Sequence, residues 1–280
     1  MSYQNTIAFQ GAKGAYSDLA CRGMYPDMET LSCKTFDQAF QAVINDQAIY
    51  AMIPVDNTLA GRVADVHHLI PTSGLKIIGE YFLPIHHNLL GVKGTTLDQI
   101  KTVHSHIHAI PQCKKFIKKL GDVKTNVQVD TAGSAMNVAQ MKDKSQAAIA
   151  SKLAADIYGL EVLAEHIEDA EHNSTRFLVF SKQPVTHFDK NASLMTSITF
   201  EVRNIPAALY KALGGFATNN VQMTKLESYV GAHFNVAFFY ADVVGHPDEE
   251  NLKLALEELS FFAKDINILG TYPASLSRNI

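Results

Sequence analysis

Short β-branched runs alternate with segments whose apolar residues recur every three or four positions from Thr6 to about Phe180, the pattern of parallel strands covered by helices. Strands are predicted at 6–9, 51–55, 75–82, 85–92, 102–104, 126–129, 147–150 and 177–180, with helices in the gaps. Gln10, Gly11, Ala12, Lys13 and Gly14 follow the first strand, and a helix capped by Ser17 would leave amides free as an anion cradle. Thr35 and Gln38 have the spacing of a capping box before the apolar stripe Phe36, Ala39, Phe40, Val43 and Ile44. Beyond Phe180 the pattern changes. Residues 183–195 are polar, carry Pro184 and read as a linker between a first domain at 1–182 and a second at 196–280. The second reads strand 197–203, helix 207–219, strand 222–229, strand 235–243, helix 249–263, strand 266–272, the ferredoxin-like βαββαβ order.

A chain of 280 residues accommodates two such domains, and 47% apolar with 19% charged residues is a globular composition. A net charge of -4, with the signs interspersed, gives no basic surface for nucleic acid or an anionic membrane. Small molecules are the expected partners. Nothing near Met1 reads as a leader and no apolar run is long enough to span a bilayer, so the expected location is cytoplasmic. Cys21, Cys33 and Cys113 are widely spaced and read as reduced packing residues.

Polar side chains gather beyond strand ends, where α/β proteins hold ligands: Asp56, Asn57 and Thr58 after one strand, with Gly61 allowing a turn. His104, His106 and His108 would share a face as a metal site if fully extended, but a strand turning into helix within the run breaks that face. His67 with His68, and His86 with His87, are adjacent and point apart, as solvated or core-edge pairs do. The loop at Gly11 to Gly14 has neither a dinucleotide nor a Walker pattern.

Several stretches, in order, resemble the prephenate dehydratase family. They are Gly11 to Ser17; Ile53 to Thr58, with Asp56 and Thr58 where the family usually has Glu and Ser; Ser105 and His106 with Gln112 and Cys113; Asp130 to Ala132; Ala148 to Ala155; Tyr158 to Leu160; and Asn173, Ser174, Thr175, Arg176, Phe177. The second domain resembles an ACT domain through Pro206, Ala207, Ala208 and Leu209, and through Glu227, Ser228, Tyr229 and Val230. Gly usually stands at the position of Ala207, and Arg and Pro at those of Tyr229 and Val230.

The resemblance implies an α/β fold: a two-lobed, periplasmic-binding-protein-like catalytic domain, then a ferredoxin-like ACT domain. It implies loss of carbon dioxide and water from prephenate to give phenylpyruvate in L-phenylalanine biosynthesis, without metal or redox cofactor. Arogenate dehydratase and a non-catalytic ligand sensor are the alternatives. Thr175, Arg176, Asn57, Ser105 and Gln112 are the implied catalytic residues, and Gly14, Tyr16, Ser17, Asp56, Thr58, Asn173 and Phe177 the implied substrate contacts. Two readings stay open for several of them. Arg176 can clamp a carboxylate or form a structural ion pair. Thr175 can be a strand-propensity choice, and Asp56 a structural residue or a proton donor if burial raises its pKa. L-phenylalanine is the implied effector, bound near Pro206, Ala208, Leu209, Asn220, Glu227 and Ser228 between ACT domains paired in a homodimer or homotetramer.

Overall fold

The computed structural model describes residues 5–230 and 237–278. The chain forms two compact units, residues 1–67 with 81–177, and residues 68–80 with 178–280. In order, it runs β1 (Thr6–Gln10), α1 (Tyr16–Met24), β2 (Glu29–Cys33), α2 (Phe36–Ile44), β3 (Tyr50–Asn57), β4 (Gly61–Arg62), α3 (Ala64–Leu69) and β5 (Lys76–Pro84). Next come β6 (Asn88–Gly91), β7 (Thr102–His106), α4 (Lys114–Lys119), β8 (Lys124–Gln128), α5 (Thr131–Met141), β9 (Gln146–Ala150), α6 (Lys152–Tyr158), β10 (Glu161–Ala164) and β11 (Ser174–Ser181).

These build two sheets. One has the order β2-β1-β3-β11-β5, with β4 on β3, and the other β10-β6-β9-β7-β8. β1 lies parallel to β2 and β3, and β7 parallel to β8 and β9, while β6 runs antiparallel to β9 and β10. Parallel strands are buried on both faces, which is why Ile7, Ala8 and Phe9, or Ala147 to Ala150, are wholly inaccessible and read as continuous apolar runs. All eight predicted strands exist. β2, β4 and β10 were not predicted: Glu29–Cys33 and Glu161–Ala164 are edge strands with half-exposed polar positions and no clean alternation, and Gly61–Arg62 is only two residues long.

Local signals acted unevenly. Thr35 accepts from the Gln38 amide at 3.1 Å, and the Gln38 side chain reaches back to the Lys34 amide at 3.0 Å, one residue before the expected partner. Ser17 is not a cap. The helix starts at Tyr16 with Ala15 as its N-cap, and the amide of Gly14 is taken by the Asp18 carboxylate at 2.8 Å. The loop therefore supplies its own anion, and the cradle expected there is filled by a side chain of the same turn.

The second unit carries β12 (Leu194–Val202), α7 (Ala208–Thr218), β13 (Met223–Val230), β14 (Ala237–Val244), α8 (Glu250–Phe262) and β15 (Ala263–Pro273). The antiparallel sheet order β13-β14-β12-β15 is that of the ferredoxin-like fold expected from sequence. The start of the predicted strand 235–243, residues 235 and 236, lies outside the described residues. Ile198, Phe200, Phe239, Ala241 and Val243 face the two helices and pack with Ala212, Phe216, Leu252, Ala255 and Leu259. No helix among the described residues is long and apolar enough to cross a membrane.

Candidate active site

A cleft of about 550 Å³ opens in the first unit, within the range of small-molecule sites. Its wall includes Tyr16, Ser17, Asn57, Gln112, Thr175 and Phe177, all expected from sequence, and also Arg62, His87, His106, His108, Asp130 and Thr131. Thr175 and Phe177 are two apart on β11, so a strand's period of two places both on one face.

The same period removes Arg176. Its side chain is 6% exposed, does not line the cleft, and lies 3.8 Å from the Asp56 carboxylate. Of the two roles open to it, the structural ion pair is the one the geometry supports. Ser105 is also absent from the wall: it is fully buried and its hydroxyl donates to the Ile149 carbonyl at 2.7 Å, tying β7 to β9. Thr58 ties β3 to β11, donating to the His172 carbonyl at 2.7 Å and accepting from the Ser174 amide at 2.9 Å. Gly14 packs on α6, where an added Cβ would stand 2.8 Å from the Ala154 Cα, and its φ of +86° is one that side chains avoid. Asp56, Thr58 and Gly14 thus shape the site without lining it.

A continuous hydrogen-bond chain orients the wall. The Asn57 carboxamide oxygen accepts from the Leu59 and Ala60 amides at 3.0 and 2.8 Å. Its nitrogen must then be the donor to Thr175 Oγ1 at 2.9 Å and to Asn173 Oδ1 at 2.8 Å. Asn173 in turn donates to Gln112 Oε1 at 2.7 Å, and the same oxygen receives His87 Nε2 at 2.9 Å. His87 Nδ1 lies 2.7 Å from the Tyr16 hydroxyl. Each amide orientation fixes the next. Thr175 Oγ1 is an acceptor towards Asn57, so its own hydrogen is left to donate elsewhere, and it has no other partner among the described residues.

Burial holds His87 below the usual imidazole range, against raising contributions from the Gln112 hydrogen bond and Glu168. With its proton on Nε2 towards Gln112, the neutral ring presents a bare Nδ1 to the Tyr16 hydroxyl, whose single hydrogen is shared with the His86 carbonyl at 2.9 Å. Burial first, then Cys113 and Glu168, raises the Tyr16 phenol well above its ordinary value, so it remains a donor. His106 is lowered by burial and by His108, against Asp130.

His87 went unrecognised in the sequence because an adjacent histidine pair looks like a surface feature. The available signal was that neighbours point apart, so one of the two must face inward next to β6. The imagined His104, His106, His108 face is broken: His104 is buried against Gln146 and Asn126, while His106 and His108 rings stand 5.2 Å apart on the cleft wall. The three cysteines are free and buried, as expected.

The prephenate dehydratase family matches residues 7–185, nearly the whole extent of the two sheets and their cleft. The chain belongs to this family. It is 48% identical, over 98% of both chains, to a protein of Komagataeibacter europaeus named as a bifunctional N-acyl-homoserine lactone acylase/prephenate dehydratase. The chloroplastic arogenate dehydratase/prephenate dehydratase 2 of Arabidopsis thaliana is 36% identical over 95% of this chain and 72% of its own length. Among solved structures, the prephenate dehydratase of Arthrobacter aurescens in complex with L-Phe is similar with a TM-score of 0.87 and 28% identity, covering 96% of this chain and 89% of that one. Membership in the family agrees with the two-sheet α/β fold and makes the chain a dehydratase of the lyase class.

Proposed function

We propose that the chain converts prephenate to phenylpyruvate, with Thr175 as the hydrogen-bond donor to the leaving hydroxyl. The bond from the ring to its carboxylate breaks, its electron pair enters the ring as the new double bond, and the hydroxyl at the opposite ring carbon departs. Carbon dioxide is released, and the departing hydroxide takes up a proton from solvent and leaves as water. Aromatisation drives the step, so the protein must hold a dianion and ease the departure of hydroxide. The observation that carries this reading is the Asn57 to Thr175 hydrogen bond at 2.9 Å, which leaves the threonine hydrogen available to an acceptor bound in the cleft.

Charge for the dianion would come from Arg62, and hydrogen-bond donors from Ser17, Thr131, Gln112, His106 and His108, all on the wall. Phe177 offers an apolar surface to the ring. Tyr16 and Asn173 position this set through the hydrogen-bond chain. Arg176 and Ser105 are given supporting roles in place of substrate contact.

For the second unit, the βαββαβ order supports an ACT domain at about 196–280, after a linker at 183–195 and a catalytic domain at 1–182, binding L-phenylalanine as effector. Pro206, Ala208 and Leu209 at the start of α7, Asn220 after it, and Glu227 and Ser228 on the edge strand β13 are the proposed effector residues. The complex of the Arthrobacter aurescens relative with L-Phe supports this choice of ligand. A homodimer or homotetramer would pair such domains, and a cytoplasmic location fits the reading.

The test is ultraviolet detection of phenylpyruvate from prephenate, with and without L-phenylalanine. Thr175→Val should lower kcat about 10²- to 10³-fold with the fold intact, as loss of one aimed donor does. Thr175→Ser should recover much of it. Arogenate is the second substrate to assay, because plant relatives at 36% identity are named for it. Turnover of neither would leave the sensor reading.

A further inference from the structure

His86, His166 and Glu168 bring three potential metal-ligand atoms together outside the wall of the cleft. His86 Nδ1 lies 2.9 Å from Glu168 Oε1, His166 Nδ1 lies 3.0 Å from His86 Nδ1, and His166 Nδ1 lies 3.6 Å from Glu168 Oε1. A point about 2.1 Å from all three exists just off their plane, the length of a Zn–N or Zn–O bond. We propose that this triplet is a binding site for a divalent transition-metal ion of the zinc class, with a remaining position for water.

Proton accounting favours an ion over hydrogen bonds alone. If His86 Nδ1 carries its proton towards Glu168, His166 Nδ1 can meet it only by sharing that one hydrogen or by opposing it with another. If His166 donates to His86, a bare nitrogen faces the carboxylate at 2.9 Å. No arrangement gives both short contacts a hydrogen of their own, whereas a cation accepts all three lone pairs at once. Support from outside the triplet is also present. Glu168 is 7% exposed and its other oxygen accepts the His87 amide at 2.8 Å, which fixes the carboxylate as second-shell bonds do in metal sites. The histidines are 49% and 59% exposed, which gives an ion a path from solvent. Two imidazoles and one carboxylate suit zinc, cobalt, nickel or copper better than calcium or magnesium, which prefer oxygen ligands.

The experiment titrates chelator-treated full-length protein with Co²⁺, follows its visible ligand-field absorption, and then competes with Zn²⁺. One equivalent per chain, displaced by Zn²⁺, is expected. Glu168→Gln and His166→Ala should each weaken binding at least 10-fold, while His187→Ala, at an exposed position elsewhere, should not. Circular dichroism reports folding, and His86→Ala replaces any variant that fails it. The inference is overturned by an absent Co²⁺ signal, or by an affinity the triplet substitutions leave unchanged. The readout is binding, so it stands apart from the outcome of the prephenate assay.

Discussion

Because the Asn57 carboxamide oxygen is held by the amides of Leu59 and Ala60, only its hydrogens face Thr175. A carboxylate in that place could still hold the two amides, but its second oxygen would accept where the amide donates. The threonine hydroxyl would then turn to it and be withdrawn from the substrate. Asn57→Asp is therefore expected to lower kcat by about 100-fold with KM changed only a few-fold, since a donor used in the transition state is lost. Steady-state kinetics on prephenate measures the split. Elsewhere on the cleft wall His106 predicts a pH dependence. Its folded-state pKa is lowered by burial and then by His108, with Asp130 opposing, so the unfolded chain binds the proton more readily. The stability this neutral ring contributes is present above the ordinary histidine value of 6.5 and is lost as pH falls below it towards the lower folded value. Urea unfolding across that range should show a fall that His106→Asn makes shallower. A dianion in the cleft favours the charged ring, so substrate binding should take up protons, which calorimetry in buffers of different ionisation enthalpy detects.

At the scale of elements, the start of α7 is a measurable weakness. Ala207, its N-cap, sits at φ 59° and ψ 22°, the left-handed region in which an L side chain crowds its own carbonyl. Ala207→Gly is expected to stabilise the second unit by about 1 kcal/mol, read as a higher urea midpoint, with the loss of glycine's flexibility in the unfolded chain taking back part of the gain. The resemblance to an ACT domain marked position 207 as one where glycine is usual, but the dihedral that explains it was not legible in the sequence. The same division holds for the site. The family resemblance carried by the ordered motifs grouped Thr175, Asn57, Gln112 and Tyr16 across long stretches of chain, whereas each residue alone reads as a turn, cap or strand choice. The alternation of β11 was legible too, and it places Arg176 behind the sheet when Thr175 faces the cleft; scarcity of arginine argued for the opposite. Ser105 and Thr58 carry donors indistinguishable in sequence from substrate ligands, and only their acceptors, the Ile149 and His172 carbonyls, reveal them as ties between strands. Asp18 could not be foreseen as the occupant of the Gly14 amide, since that depends on the loop's curvature.

Across the whole chain, the second unit recruits a segment from far upstream. Residues 68–80 belong to it, and an added Cβ on Gly270 of β15 would meet the Ile77 carbonyl oxygen at 2.0 Å, so the two backbones are in close contact. This covers a face of the sheet that carries polar groups. Ser197, Tyr240, Asp242 and Tyr272 are buried there and bonded to one another, with the Tyr240 hydroxyl 2.6 Å from the Asp242 carboxylate. Near the end of the chain Arg278 grips Glu80 with two bonds, Nε to Oε1 at 2.6 Å and Nη2 to Oε2 at 2.9 Å, and the Ser275 amide adds a third at 3.0 Å. The Glu80 side chain is wholly inaccessible and that of Arg278 only 13% exposed, so water screens the pair little. Removing Arg278 leaves a buried carboxylate without its fork of donors, which costs about 3–5 kcal/mol in comparable pairs, whereas removing both charges costs far less because no ion remains to be solvated. Arg278→Ala should therefore lower the unfolding free energy of the second unit by that amount, and Glu80→Leu combined with Arg278→Leu should restore most of it. A double-mutant cycle by urea denaturation checks this, and additive losses from the two single variants would show that the Glu80–Arg278 pair does not anchor the C-terminal segment.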